Sequence, residues 1–270
     1  MTTDKRLQDK VAIVTGAGSR GQAMGTGYAI AILFARQGAK VLLADLDQDR
    51  AEETLAVIES EGGEASIFVA DMTKEDECRA MVEACYERYG GLHILVNNVG
   101  GYGSGMVTEI EEDYWDQSLN VNLKSMIWGC KFAVPRIAET GGGSIINISS
   151  IDGLRAGMAR NIPYSVAKGG AVTLTKAMAV HHGRENIRVN CIAPGHIHAS
   201  FVSKISDEKR ELRRKAGPLG TEGDAWDVAW ACVFLGSDES RWISGTVIPI
   251  DAGLLAATPL SVLDNINESD

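Results

Sequence analysis

The sequence predicts a doubly wound α/β fold, with a mostly parallel seven-stranded sheet and helices on both faces. Three observations predict it. Seven short apolar runs recur along the 270 residues, with little polar alternation inside them. Strands covered on both faces read this way. Longer amphipathic stretches separate the runs, with apolar residues recurring at three and four positions. The two kinds of segment alternate as βαβα throughout, the order that produces a parallel sheet wrapped by helices.

Taken in order, residues 1–10 are polar and contain no signal-peptide apolar region. Strands are expected at 11–15, 41–44, 65–69, 92–96, 144–148, 188–192 and 246–250. Helices are expected at about 27–37, 48–61, 74–89, 112–137, 163–182 and 224–235. No linker, repeat or low-complexity block interrupts the pattern, so residues 1–270 are expected to form one domain. Residues of about 196–223 are polar and resemble a mobile cover. The tail after Gly253 is expected to fray.

Composition narrows the function classes. The chain is 45% hydrophobic and 23% charged, an ordinary soluble balance. Its net charge of −10 and lack of a basic stripe argue against nucleic acid as a partner. No apolar run is long enough to span a bilayer, so no membrane partner is expected. Cys78, Cys85, Cys130, Cys191 and Cys232 are scattered and odd in number, which suits reduced thiols in a cytoplasm. Cys191 falls in a buried strand and reads as a small hydrophobe.

The first strand runs directly into a glycine-rich turn, Thr15-Gly16-Ala17-Gly18-Ser19-Arg20-Gly21-Gln22-Ala23-Met24-Gly25-Thr26-Gly27, followed by a helix. Glycines at such a turn let backbone N–H groups approach a pyrophosphate, and the helix N-terminus favours its charge. Gly16, Ser19, Arg20, Gly25, Thr26 and Gly27 are therefore candidate phosphate contacts. Asp45 ends the second strand, 18 residues past Gly27. Its carboxylate can accept from both hydroxyls of an adenosine ribose and would repel a 2′-phosphate, which favours NAD over NADP. Arg20 pulls the other way, since a cation there can hold a 2′-phosphate, the pyrophosphate, or only solvent. The better-fixed Asp45 carries more weight, with Leu46 beside it.

Tyr164 and Lys168 lie four apart in a predicted helix, so phenol and ammonium share one face. A phenol ordinarily titrates near ~10, and bringing it to neutrality needs about 4 kcal/mol of differential stabilisation at ~1.4 kcal/mol per unit. A nearby cation can supply much of that. Isolated, the pair reads as a solvated helix face.

With these motifs in order, the chain resembles the short-chain dehydrogenase/reductase family, whose fold is of the Rossmann type, from Lys10 to Gly253. The resemblance rests on the Thr15–Gly27 loop, Asn97-Asn98-Val99-Gly100, Val121-Asn122-Leu123, Asn147-Ile148-Ser149-Ser150, Tyr164-x-x-x-Lys168 and Pro194-Gly195. It implies that Tyr164 exchanges a proton with the substrate oxygen. Lys168 would lower the Tyr164 pKa and hold the nicotinamide ribose. Ser150, rather than Ser149, would orient the substrate oxygen, and Asn122 would support a water chain from Lys168. A helix kink or backbone hydrogen bond is a compatible role for Asn122. Asp71 and Met72 would hold the adenine, Asn98 and Gly100 would flank the adenosine side and the ribose, and Pro194, Gly195 and Ile197 would line the nicotinamide.

The chain departs from the family pattern in three places. Eight residues, Ala17 to Met24, separate Thr-Gly from Gly-x-Gly, more than is usual. Ser19, Arg20 or both then replace the usual phosphate donors. Enoyl reductases of this superfamily also lengthen this loop but lack this Tyr-x-x-x-Lys spacing. Ala199, followed by Ser200, stands where the family often has the Thr that holds the carboxamide. The stretch from Ser150 to Tyr164 is slightly long.

On the substrate side, His196 and His198 can face one side of an extended strand, but no carboxylate or Cys accompanies them closely, so no metal is expected. They read as solvated loop histidines, Arg155 and Arg160 as surface charge, and Tyr102 or Met158 as a wall of an apolar pocket. The expected function is NAD-dependent transfer of hydride between nicotinamide and a secondary alcohol or ketone, in a homotetramer or homodimer. A non-catalytic NAD(P)-binding sensor or scaffold, an NADPH-dependent carbonyl (3-oxoacyl-type) reductase and a nucleotide-sugar epimerase or dehydratase are the alternatives. The last usually needs a longer chain.

Overall fold

All seven expected strands form, and they join into one parallel sheet in the spatial order 64–69, 40–45, 11–15, 94–97, 143–148, 187–194 and 247–250. The computed structural model describes residues 5–19, 24–157, 160–199 and 205–267. The strands are β1 Val11–Thr15, β2 Lys40–Asp45, β3 Glu64–Val69, β4 Ile94–Asn97, β5 Gly143–Ile148, β6 Ile187–Pro194 and β9 Val247–Ile250. A two-stranded parallel pair, β7 Ile197–His198 and β8 Gly223–Asp224, lies apart from them.

The sheet is covered on both sides, as its apolar runs require. Alternate residues of β1 enter opposite layers, Ala12 and Val14 on one face, Val11 and Ile13 on the other. The first layer is filled by α1 Thr26–Arg36 and α8 Ala225–Gly236. The second takes α3 Glu75–Tyr89 and α5 Ser125–Glu139, with Met81, Cys85 and Ile137 fully buried. Helix α2 Gln48–Ser60 flanks β2 and β3.

The chain winds outward from β1 to β3, then returns to place β4 on the other side of β1. That reversal opens a crevice at the carboxyl ends of β1 and β4. Thr15 and Asn98 pin it: Thr15 Oγ1 donates to Val96 O, and Asn98 Nδ2 donates to Thr15 O and Gly16 O at 3.0 and 3.1 Å. A buried polar chain then fixes α6 Ile162–His181 to the sheet. Asn97 Nδ2 donates to Asn147 Oδ1 at 2.9 Å, and Asn147 Nδ2 donates to Thr175 Oγ1 at 3.0 Å. Thr175 lies two turns past Lys168 on the same face, so this chain sets the height and rotation of the helix that carries Tyr164.

One helix expectation is corrected, and two further segments contain helices that the sequence reading did not place. The single helix expected at 112–137 is α4 Glu112–Leu119, a π turn at Asn120–Lys124, and α5. The cause is Asn122, whose Nδ2 donates to Ser118 O at 2.9 Å and competes with the backbone for a carbonyl of the helix ladder. The polar stretch 196–223 contains α7 Asp207–Ala216. Ser206 caps it, acidic residues begin it, and Arg213, Arg214 and Lys215 end it, the charge order a helix dipole favours. Past Gly253 the chain forms a turn at Pro259–Val262 and α9 Leu263–Asn267, which lies beside α7.

Candidate active site

A single cleft of about 750 Å³ runs along the carboxyl edge of the sheet. The glycine turn and Asp45 line one end, and Ser150, Tyr164 and Lys168 line the other. Leu46, Asp71, Met72, Asn98 and Gly100 line it, as do Pro194, Gly195 and Ile197. Among the expected site residues, Ser19 and Asn122 are not on its wall. Arg20, Met158 and Ser200 lie outside the described residues.

At the glycine end the backbone is drawn tight. Gly16 has φ +63°, a left-handed conformation that favours glycine. A Cβ on Gly27 would sit 1.9 Å from Gly16 O and 2.6 Å from Asn98 Nδ2. Helix α1 can therefore start against the end of β1 only because Gly27 has no side chain. Ser19 Oγ accepts from Gly25 N at 2.8 Å and closes the lengthened loop on itself. Thr54 Oγ1 donates to Ala17 O at 2.9 Å and holds the loop down from α2. Asp45 Oδ2 accepts from Gly18 N at 2.8 Å and Oδ1 from Asp47 N at 3.0 Å, so the carboxylate is held at the cleft wall. A cradle without Cβ atoms, a helix N-terminus and a fixed carboxylate fit a dinucleotide's pyrophosphate and ribose.

At the other end, β5 delivers two serines with different duties. Ser149 is buried, and its Oγ donates to Lys168 O at 2.7 Å. Ser150 is extended, caps the short turn Ile151–Gly153, and hydrogen-bonds the Tyr164 hydroxyl. Lys168 is only 2% exposed, its Nζ donating to Ile148 O at 2.9 Å and lying 5.6 Å from the Tyr164 ring centre. Asn122, fully buried, accepts from Gly101 N through Oδ1 and donates to Gly101 O through Nδ2. A Cβ on Gly100 would lie 3.4 Å from Asn122 Oδ1 and 3.6 Å from Lys168 Nζ. The π turn thus brings the Asn122 amide toward the same glycine as the lysine.

Comparison with known proteins agrees with this geometry. A family model described as Enoyl-(Acyl carrier protein) reductase matches residues 21–255. The uncharacterized oxidoreductase YxbG of Bacillus subtilis strain 168 is 37% identical, over 94% of this chain and 93% of that protein. The 3-oxoacyl-[acyl-carrier-protein] reductase FabG of Thermotoga maritima is 35% identical, over 93% and 99%. A solved structure from Burkholderia xenovorans, assigned to the short-chain dehydrogenase/reductases, superposes with a TM-score of 0.90 at 37% identity, covering 94% of this chain and 99% of that one. The chain belongs to the short-chain dehydrogenase/reductase family. As a short-chain dehydrogenase/reductase it is an oxidoreductase, and the family's cofactor is a nicotinamide dinucleotide. The levodione reductase structure also superposes, with a TM-score of 0.88 at 31% identity over 94% of this chain and 100% of that one.

In this short-chain dehydrogenase/reductase, burial sets the direction of both the Tyr164 and the Lys168 pKa shift. Burial pushes the Tyr164 phenol up to about 12; Ser150 lowers it, and the Asp152 carboxylate raises it further. Burial also pushes the Lys168 ammonium down to about 8. The polypeptide thus disfavours the charged form of each group, because burial strips it of water.

The buried ammonium has a consequence for stability. Its shift from 10.5 to about 8 disfavours folding at neutral pH, by about 3 kcal/mol at ~1.4 kcal/mol per unit. Lys168→Met leaves Ile148 O without its partner, at about 1 kcal/mol. Without added cofactor, urea melts at pH 7 are expected to show the variant more stable by about 2 kcal/mol. Relative to the variant, the wild-type protein should gain stability as pH climbs from about 8 to 10.5, where the unfolded lysine still holds a proton the folded one has released. The gap between the two should therefore close across that range. The buried cysteines and Tyr164, raised by burial, lower the stability of both proteins alike as pH climbs past about 9, so the difference between the two proteins is the quantity read. Equal stability of both proteins across this range would overturn the assignment.

Several cleft residues escaped sequence reasoning. Asp152 lines the cleft and accepts from Asn161 Nδ2 at 2.7 Å. Arg50 lines the ribose end and pairs with Asp47 at 3.0 Å. Arg213 reaches the substrate end from α7. Nothing local marks Asp152 or Arg50, whereas the Ser206 cap and charge order could have revealed α7 and hence Arg213. The histidines are also corrected: both His196 and His198 are half-buried, each with Nδ1 out of solvent and without a hydrogen-bond partner among the described residues. Burial and the nearby Arg213 lower the His196 pKa. Ala199 is buried and lines the cleft, so that wall is apolar. Tyr102 lines the cleft too, and Arg155 and Arg160 are exposed. Cys191 is fully buried, and burial pushes its thiol up to about 11, as a packing residue requires. Among the described residues no group of three or more His, Cys, Asp or Glu could hold a metal ion. No helix among them is long and apolar enough to cross a membrane.

Proposed function

We propose that this chain is an NAD-dependent dehydrogenase or ketone reductase acting on a secondary alcohol or its carbonyl, with Tyr164 as acid/base. One observation carries the reading: a single cleft joins the glycine cradle and Asp45 to Ser150, Tyr164 and Lys168. When bound, the nicotinamide donates or accepts hydride at its C4. The glycine turn and the α1 N-terminus hold the pyrophosphate, and Asp45 holds the adenosine ribose. Ser150 orients the substrate oxygen, and Tyr164 exchanges a proton with it. Lys168, out of solvent, would hold the nicotinamide ribose, and its charge together with that of the oxidised nicotinamide would favour phenolate. Asn122 holds the Gly100-Gly101 loop against Lys168 and supports the proton path toward solvent.

Relatives named for both directions support an alcohol–carbonyl couple. One is the 3-oxoacyl-[acyl-carrier-protein] reductase above. Another is the 2,5-dichloro-2,5-cyclohexadiene-1,4-diol dehydrogenase LinX of Sphingobium indicum, 34% identical over 92% of this chain. The Tyr-x-x-x-Lys spacing favours such a couple over an enoyl bond. NAD+ reduction followed at 340 nm across cyclic, aromatic, steroid and hydroxyacyl secondary alcohols tests the reading. A protein that binds NADH tightly yet turns over none of them would instead be the sensor.

Asp45 supports NAD over NADP, since a 2′-phosphate would meet a carboxylate already held at the wall. Arg50 at the same end supports the NADPH alternative, if it exchanges Asp47 for a phosphate. Fluorescence titration is expected to give tighter NADH than NADPH binding. Asp45→Ala should weaken NADH by about tenfold, one charge-assisted hydrogen-bonding group at 1.5–3 kcal/mol being lost. It should also narrow or reverse the preference over NADPH. Tighter NADPH binding by the unmodified protein would overturn the role of Asp45.

Five free buried cysteines support a reducing, cytoplasmic location. Exposed Ile127, Val166 and Val180 on α5 and α6 support a homotetramer or homodimer built on these helices.

A further inference from the structure

We propose that Arg213 makes the far end of the cleft an anion site, so that the substrate's alcohol or ketone carries an anionic oxygen group, a carboxylate or a phosphate. This deepens the proposed function and rests on its reading of Tyr164 as the reacting end.

The basic residues of α7 are used differently. Arg210 donates through Nε to both oxygens of Glu222 at 2.6 and 2.8 Å, and Arg214 donates through Nε to Glu211 at 2.7 Å. These guanidiniums are neutralised within the protein. Arg213 turns inward instead, lines the cleft, and donates through Nη2 to Ile197 O at 3.1 Å. Among the described residues no carboxylate pairs with it, and Glu222, the nearest acidic influence, is held by Arg210. Its guanidinium is half-buried, and that burial lowers its pKa. A partly desolvated cation with donors to spare is costly unless a ligand completes it. A planar guanidinium is also the side chain best matched to carboxylate or phosphate oxygens.

His196 lines the cleft beside Arg213, and both the charge and the backbone of Arg213 act on it. An anionic ligand oxygen is the partner that Arg213 lacks. Asp152, which acts on both Tyr164 and His196, is tied to Asn161. A substrate whose anionic group is held by Arg213 would present its alcohol or carbonyl carbon to Ser150 and Tyr164 in the same cleft. Ala199 and Ile205 supply apolar wall alongside.

The test uses the NADH- or NAD+-loaded protein and matched pairs of probes: aliphatic and aromatic 2-, 3- and 4-hydroxy acids against their methyl esters, and monophosphates of diols against the free diols. Binding is read by calorimetry and turnover by absorbance, with KM and kcat separated. Acids or monophosphates are expected to bind the unmodified protein at least tenfold more tightly than their neutral partners. Whichever set shows the preference identifies the anion. R213M should lose that preference by about ten- to a hundredfold, one charged hydrogen-bonding partner being removed, chiefly in KM. R213K should restore part of it. NADH titration and thermal melts report that the variants remain folded. Binding preferences near one in the unmodified protein, absence of any acid or phosphate binding, or a preference that survives R213M would overturn the proposal. A protein that selects anions through Arg213 but oxidises none of them would sink the proposed dehydrogenase and leave the anion site standing.

Discussion

Tyr164→Phe is expected to lower kcat by about 10²–10⁴-fold, the range over which a positioned acid/base contributes. The physical case rests on burial. The phenol is partly buried at the cleft wall, which pushes it up to about 12, with Ser150 on its hydroxyl and Lys168 out of solvent one turn away. Such a group does not ionise unaided near neutrality. Its ionisation depends on a positive charge arriving with the ligand, so proton transfer is tied to a loaded site. Phe keeps the ring and its packing and removes only the hydroxyl, so the thermal midpoint should move little and NADH affinity should stay within a few-fold. The pH dependence of kcat/KM should lose the limb that belongs to the Tyr164–Lys168 pair, which titrates as one coupled unit. Turnover by the Phe variant within about tenfold of the unmodified protein would remove Tyr164 from the chemistry.

Gly27→Ala is expected to abolish measurable dinucleotide binding and to lower stability. Two effects oppose one another here. Alanine inside a helix is favoured over glycine by about 1 kcal/mol. Against that, the new methyl would lie 1.9 Å from Gly16 O and 2.7 Å from Gly16 C, both backbone atoms tied into the turn. Overpacking of this kind costs about 1–3 kcal/mol and sometimes more, and the contact is too short for a neighbouring side chain to relieve. The clash wins, so α1 is displaced from β1 and the cradle opens. A melt and an NADH titration on the same preparation check both halves. An Ala variant with unchanged NADH affinity would show that the close approach of α1 does not build the cofactor site.

The outcomes also separate what was legible in the sequence. Strands could be read because two buried faces leave uninterrupted apolar runs, and all seven lie within two residues of their expected ends. The 112–137 helix was legible as helix, with a kink at Asn122 as one reading, but the π turn was not, because it depends on the Asn122 side chain turning back onto Ser118 O. Helix α7 was missed because its surface is almost wholly charged and carries no apolar periodicity. Ser150 and Ser149 are adjacent and chemically identical, and only their directions, one into the cleft and one onto Lys168 O, distinguish them.

The sequence by itself determined the family, the parallel sheet, the glycine turn, Asp45 at a strand end, and Tyr164 and Lys168 on one helix face. Each of these is a matter of periodicity or short spacing, and local geometry converts spacing directly into position. The tertiary structure alone decided that these parts line one cleft, that Tyr164 and Lys168 are both held away from their charged forms, and that His196 is half-buried. It also decided that Arg213 turns inward without a carboxylate while Arg210 and Arg214 are paired. Those properties are set by desolvation and charge from residues far apart in the chain, which no local pattern records.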